Sequence, residues 1–210
     1  MLKEINLKNL KTKFNLDIRG IINVGSYIAS EYIMFKELEI KNSIFIEANP
    51  HIIPLLKNNV GSECLVFNNL LLDQDDVEVK FKIANHLQAS SVLDFCEHKN
   101  HYPELSIIND IIKLKSKKLD SVIRDNNINM DNYNMLMIDV QGVEKLVLDG
   151  FSQNISKIDY IYSEINFVEM YDTCMLFDKY TLYLNKLGFE LTEYFDTGKG
   201  WGDGLYIRNN

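Results

Sequence analysis

The chain has 210 residues, with 22 Lys and Arg against 30 Asp and Glu, and a net charge of −8 at neutral pH. That acidity argues against nucleic acid as a partner, since phosphates need a cationic surface. It still allows an anionic or zwitterionic small molecule in a local pocket, and an acidic cleft tolerates a positive ligand well. Hydrophobic residues at 46% and charged residues at 25% suit a packed core and exclude wholesale disorder. The length predicts one domain over 1–210, with residues 1–18 as an N-terminal extension.

Cys64, Cys96 and Cys174 are widely spaced and odd in number, without the pairing of a zinc site. A reducing compartment, the cytoplasm, is the simplest reading. The first 20 residues are interrupted by charges, unlike a signal peptide. No later segment reaches the roughly 20 apolar residues of a membrane span. The expectation is a protein without a membrane partner, and an acidic, aromatic-rich chain is compatible with a homodimer.

In chain order, Gly20–Val24 predicts the first strand, and Ala29–Leu38 a helix with Ile33, Met34 and Leu38 at helical spacing. Ser43–Glu47 predicts a second strand. Asn49-Pro50 then opens a helix, a capping residue before a proline, although Pro54 delays or bends it. Cys64–Phe67 predicts a third strand. Val77–Ile83 alternates strictly, as a half-buried antiparallel strand does. His86–Glu104 is a long polar loop of the kind that carries function. Leu119–Ile123 predicts a short helix, Met135–Val140 a buried strand ending in an acid, and Glu144–Leu148 the start of another helix. Ile158–Ile165 predicts a strand and Asp172–Leu187 a long amphipathic helix. Phe189–Tyr194 and Leu205–Arg208 read as closing strands, with Trp201 in the glycine-rich turn between them. The alternation is that of an α/β fold with a largely parallel sheet.

Two features of the first half point to a nucleoside. At Asn23-Val24-Gly25-Ser26 a strand turns into a helix, where a glycine allows close backbone approach and free N–H groups collect. Only Gly25 is present, so the full dinucleotide fingerprint is not met, and a plain tight turn reads equally well. Glu47 ends the second strand roughly 20 residues later, where an acid accepts hydrogen bonds from both hydroxyls of a ribose.

Asn23-Val24-Gly25 with Glu31, then Phe45-Ile46-Glu47-Ala48-Asn49-Pro50, resembles the N-terminal half of the FkbM-type methyltransferases. Ser90-Ser91-Val92-Leu93 resembles that family's Ser-Ser segment. Ile138-Asp139-Val140-Gln141-Gly142-Val143-Glu144 with Val147-Leu148-Asp149-Gly150 is similar to its most distinctive signature. Ser163-Glu164-Ile165-Asn166 with Tyr171, and the run at 202–207, resemble its last strands. The resemblance covers roughly residues 20–208. Many relatives carry Asp in place of Asn23 and a second glycine in place of Ala29; Glu31 is a candidate to supply the missing negative charge.

The resemblance implies a class I, Rossmann-like methyltransferase fold: a mostly parallel seven-stranded sheet with an antiparallel terminal strand. It implies an S-adenosylmethionine-dependent O-methyltransferase acting on a small molecule, with a sugar of a glycan or glycoside as acceptor. Asn23, Gly25, Ser26, Glu31, Glu47, Asn49, Asn69, Leu70, Asp139 and Gln141 would surround the cofactor, Asn69 and Leu70 beside the adenine. Asp139 takes the acceptor's proton, orients the acceptor, or binds the cofactor's amino group. His98, in the polar loop, is a candidate base, and Glu164 joins Asp139 as a catalytic candidate. Ser91, His98, Asn166, Tyr171 and Trp201 are candidates to contact the acceptor, Trp201 by stacking on a sugar face. Asp139, Glu164 and Asn166 would also make an all-oxygen magnesium set, but a hydrogen-bonded polar cluster is the preferred reading and no metal ligand is assigned. Two alternatives stay open: an NAD-dependent oxidoreductase, which the turn and Glu47 fit equally, and a non-catalytic nucleoside-binding module of the same fold.

Overall fold

A computed structural model describes residues 7–209. Among the described residues ten strands and seven α-helices are defined, and seven of those strands form the main sheet, in the order β3-β2-β1-β7-β8-β10-β9. Its centre is β1 (Gly20–Val24), flanked by β2 (Asn42–Glu47) and β7 (Met135–Ile138), both parallel to it. β3 (Leu65–Asn68) and β8 (Tyr160–Asn166) extend the sheet, again in parallel. β10 (Trp201–Arg208) inserts antiparallel between β8 and β9 (Phe189–Asp196). The antiparallel strand is thus last in the chain but not at the sheet's edge.

Every residue of β1 is buried because both faces of the sheet are covered. Side chains alternate between two cores. Ile22, Ile44 and Ile46 enter one with Leu136 and Ile161; Ile21 and Phe45 enter the other with Phe35 and Leu56. Each such fully buried side chain contributes about 1.5–3 kcal/mol relative to exposure. The helix α1 (Leu7–Phe14) belongs to the second core through Leu7 and Leu10, so the described part of the expected extension packs as an integral layer. The remainder of that extension, residues 1–6, lies outside the described residues.

Several boundaries differ from expectation for local reasons. α2 spans Tyr32–Glu37, not from Ala29, because Tyr27 and Ala29 hold positive φ values of 47° and 53°. α3 spans Ile53–Val60, starting late with Pro54 in its first turn, where a missing N–H costs nothing. α7 spans Phe177–Lys186 and buries Tyr180 and Leu184; the preceding residues are diverted into bridges from Tyr171 to Phe95 and from Leu176 to Asn166. Trp201 does not sit in a turn: it opens β10, in register with Asn166.

The expected antiparallel strand is β5 (Glu78–Ala84), but its partner was not anticipated. It pairs with β6 (Ile107–Lys117), and β6 also takes β4 (Leu70–Leu71) in parallel, forming a separate three-stranded sheet. The polar loop is less irregular than its composition implies. It holds the one-turn helix α4 (His98–His101) and a bridge from Ser91 to Lys82. α5 (Leu119–Asp125) and α6 (Glu144–Asp149) complete the layers. No described helix is long and apolar enough to cross a membrane.

Candidate active site

The sheet order reverses between β1 and β7, and crevices form outside the carboxyl ends of strands at such a switch. A cleft of about 820 Å³ lies there, a size suited to a small organic ligand. Its lining comes from the ends of β1, β2 and β7, from the polar loop and from β10.

The turn after β1 is built by close packing. The Gly25 and Ser26 N–H groups donate to the Ile46 carbonyl at 2.9 and 3.1 Å, and the Asp139 N–H donates to Val24 at 3.0 Å. Gly25 has φ +79°, and a Cβ there would lie 1.7 Å from the Asp139 carbonyl oxygen. Its glycine is needed for contact with the neighbouring strand. Ser26 is buried and ties the turn together, its hydroxyl donating to Asn23 (2.8 Å) and accepting from the Ile46 N–H (2.9 Å).

Glu47 is fixed at one end of the cleft. Its Oε2 accepts from the Tyr27 N–H at 2.8 Å and its Oε1 from the Asn49 N–H at 2.7 Å. Each oxygen keeps a further lone pair. Burial pushes the Glu47 carboxyl up against the downward pull of these bonds. Asn69 and Leu70 line the cleft beyond it, and the Asn69 N–H donates to the Glu47 carbonyl at 3.1 Å. Asn49 lies outside the lining: its Oδ1 accepts from the His51 N–H at 3.0 Å, and its Nδ2 is buried without a partner. Asn49 therefore supports Glu47 through its backbone and shapes the entry to α3.

Asn23 and Glu31 form one polar unit. The Asn23 side-chain amide donates to Glu31 Oε1, and both line the cleft. Burial raises the Glu31 carboxyl, and the charge of Asp139 adds to the rise.

After β7 the cleft carries a network centred on Gln141, a non-glycine residue at φ +59°. Its Nε2 donates to Asp139 Oδ1 and, at 2.7 Å, to Glu164 Oε2. Its Oε1 accepts from the Tyr171 hydroxyl, and its carbonyl accepts from the Ser91 hydroxyl at 2.7 Å. Asp139 is exposed to the cleft, whereas Glu164 is 7% exposed. Burial and then the Asp139 charge push Glu164 well above the ordinary carboxylate range. Glu144 sits below the turn and accepts from the Gly142 N–H at 3.0 Å; burial raises it to about 7.

Of the residues expected to meet the acceptor, His98 and Trp201 line the cleft, whereas Ser91, Tyr171 and Asn166 lie behind it. Ser91 and Tyr171 hold Gln141 from behind. Asn166 is 1% exposed, with its Oδ1 buried and unpartnered, so it does not share the orientation of Glu164 towards the cleft. The Nδ1 of His98 meets the Met170 carbonyl at 2.7 Å. Only a protonated nitrogen can make that bond, so Nε2 carries the lone pair of the neutral ring. Burial lowers the His98 pKa and keeps the ring neutral. Trp201 Nε1 donates to the Tyr102 hydroxyl at 2.9 Å. Tyr102 and Asp203, both in the lining, escaped the sequence reading; Asp203 was legible as the register partner of Glu164 once β10 was extended to Trp201. Among the described residues, no group of three or more His, Cys, Asp or Glu is arranged to hold a metal ion.

Residues 23–191 match the profile of the Methyltransferase FkbM domain. The chain belongs to the FkbM methyltransferase family. The match runs from Asn23 through the Gln141 network to the start of β9, with Leu7, Trp201 and Asp203 of the lining outside it. No curated protein matches the chain by sequence. Among solved structures, M. capricolum TrmK in complex with S-adenosyl-homocysteine is similar over 100% of this chain and 70% of its own, with a TM-score of 0.56 and 10% identity. The ribosomal protein L11 methylase from Lactobacillus delbrueckii subsp. bulgaricus is similar over 98% of this chain and 77% of its own, with a TM-score of 0.52 and 9% identity. At such identities the likeness is one of fold, and the fold is that of the class I methyltransferases.

Proposed function

We propose that this FkbM domain is an S-adenosylmethionine-dependent O-methyltransferase whose acceptor is a small hydroxylated molecule, a sugar of a glycan or glycoside. The observation that carries the reading is one cleft lined both by Glu47, which ends β2, and by an exposed Asp139, which follows β7 on the other side of β1. The residues present fit the donor. Two neighbouring carboxylate lone pairs on Glu47 suit a vicinal diol, Asn69 and Leu70 border a space for the adenine, and Asn23 with Glu31 offers negative charge to the amino group. The negative charge that Asn23 lacks relative to many relatives is thereby restored by its own hydrogen-bond partner. Bound there, S-adenosylmethionine supplies an electrophilic methyl group on a sulfonium, a positive charge that an acidic cleft favours.

The chain's own residues then have defined work. Gln141, held by Tyr171 and Ser91, fixes the Asp139 carboxylate and so pre-organises it. With the donor bound, Asp139 would take the proton that the acceptor hydroxyl gives up on methylation. Burial disfavours the charged form of Glu164, which limits the negative charge beside Asp139. His98 presents a neutral acceptor nitrogen, suited to orient a second hydroxyl of a polyol.

The decisive experiment is calorimetry with S-adenosylmethionine and with NAD, followed by mass spectrometry of glycosides incubated with the donor. Selective donor binding and a gain of one methyl group are expected. Selective NAD binding would reject the reading, and donor binding without turnover on any hydroxyl compound would leave a binding module in its place.

A further inference from the structure

The cleft is one-sided in charge. Its lining holds six carboxyl groups, Glu31, Glu47, Glu104, Asp139, Glu164 and Asp203, and among the described residues no Lys or Arg. Burial lowers the pKa of His98 in the lining, which disfavours its charged form. Lys199 stacks on the Tyr102 ring, 4.8 Å from its centre, but is not itself a lining residue. Phosphate and carboxylate ligands are ordinarily held by guanidinium or ammonium groups, or by backbone N–H groups at a helix N-terminus. The backbone N–H groups of the first turn are committed: Gly25 and Ser26 to Ile46, Tyr27 to Glu47. No Lys or Arg side chain of the described lining is present to neutralise an anionic acceptor, and an acceptor anion brought beside Glu104, Asp139 and Asp203 is repelled on approach.

A second observation concerns shape. Trp201 is hydrogen-bonded to the Tyr102 hydroxyl at 2.9 Å, and His98 packs against Tyr102 with ring centres 6.3 Å apart. Tyr102, Trp201 and His98 all belong to the lining. Rigid aromatic rings with polar tips suit the apolar face and hydroxyl edge of an uncharged sugar.

We infer that the acceptor is an uncharged glycoside or polyol, selected against nucleotide-linked, phosphorylated and acidic sugars by a cleft whose described lining holds carboxyl groups and no Lys or Arg side chain. The inference rests on the O-methyltransferase reading above and narrows it. It also gives the reaction a place in sequence. The sugar reaches this cleft after leaving its nucleoside diphosphate carrier, so the reaction that supplies the acceptor is a glycosyl transfer, and methylation follows it.

The test is a set of matched acceptor pairs with the full chain and S-adenosylmethionine: a neutral methyl glycoside against its uronate, and against the same sugar as its nucleoside diphosphate ester. Transfer rates are read alongside affinities for the protein loaded with S-adenosylhomocysteine. The neutral member is expected to lead in kcat/KM by about tenfold or more, with the gap narrowing as salt screens the carboxylates. In Glu104→Lys, a change at the exposed mouth, the ratio is expected to move toward the uronate by about tenfold. A uronate or nucleotide sugar used or bound as well as its neutral partner would overturn the inference and leave the methyltransferase reading intact. Donor binding with no methylation of either member, but with neutral glycosides still bound in preference, would instead overturn the reading and keep the charge selection.

Discussion

Asp139 and Glu47 differ in what surrounds them, and the difference assigns their work. Asp139 is exposed to the cleft and held by Gln141 through Oδ1. Asp139→Ala is expected to lower kcat by about 10²–10⁴-fold, the usual scale for a lost general base; near-normal turnover in a methyl-transfer assay would remove Asp139 from the chemistry. Glu47 accepts two backbone N–H groups and turns its remaining lone pairs outward. Glu47→Ala is expected to weaken donor affinity by about 1–3 kcal/mol, the scale of hydrogen bonds to a charged group. Calorimetry reads that loss directly, and an unchanged affinity would mean that the ribose is held elsewhere.

The turn between β1 and α2 shows how tightly an element can bind residue choice. Gly25→Ala would force a Cβ against the Asp139 carbonyl at a positive φ, which is expected to cost about 2–5 kcal/mol from overpacking and backbone strain together. A denaturant melt within 1 kcal/mol of wild type, roughly the median effect of a point change, would show that the two strand ends are not in contact. That turn and the central strands were legible from sequence because fully buried parallel strands read as continuous apolar runs. β6 was not, although Ile112, Lys113, Leu114, Lys115 and Ser116 alternate as a half-buried strand should. Asn109 and Asp110 interrupt its first half, and strand propensity is poor at both. The site was legible in its acids, which sit at strand ends, and less so in what lies behind them. Glu164 and Asn166 share a strand face by count, yet Asn166 is closed off where β8 bridges to Leu176 and pairs with Trp201. Spacing along one strand does not report such tertiary cover.

Across the whole molecule, carboxyl groups are gathered at one end of the sheet, and their mutual repulsion is a property of the fold. Glu144, raised to about 7 by burial and then by Asp139, binds its proton more tightly folded than unfolded. Its contribution is therefore present at low pH and is lost as the pH rises from about 4.5 through about 7. The full span is on the order of 3 kcal/mol. Thermal melts between pH 5.5 and 8 should show stability falling with pH, and Glu144→Gln, which keeps an oxygen for the Gly142 N–H, should flatten that slope; an unaltered slope would place the titration in another group. A bound cation at this end of the sheet relieves the same repulsion, which ties the electrostatics of the fold to its donor. The most direct measurement is a crystal structure with S-adenosylhomocysteine bound. Glu47 is expected within hydrogen-bonding distance of both ribose hydroxyls, with the sulfur facing Asp139 across open space wide enough for an acceptor. A cleft empty of ligand, or a sulfur turned away from Asp139, would contradict that arrangement.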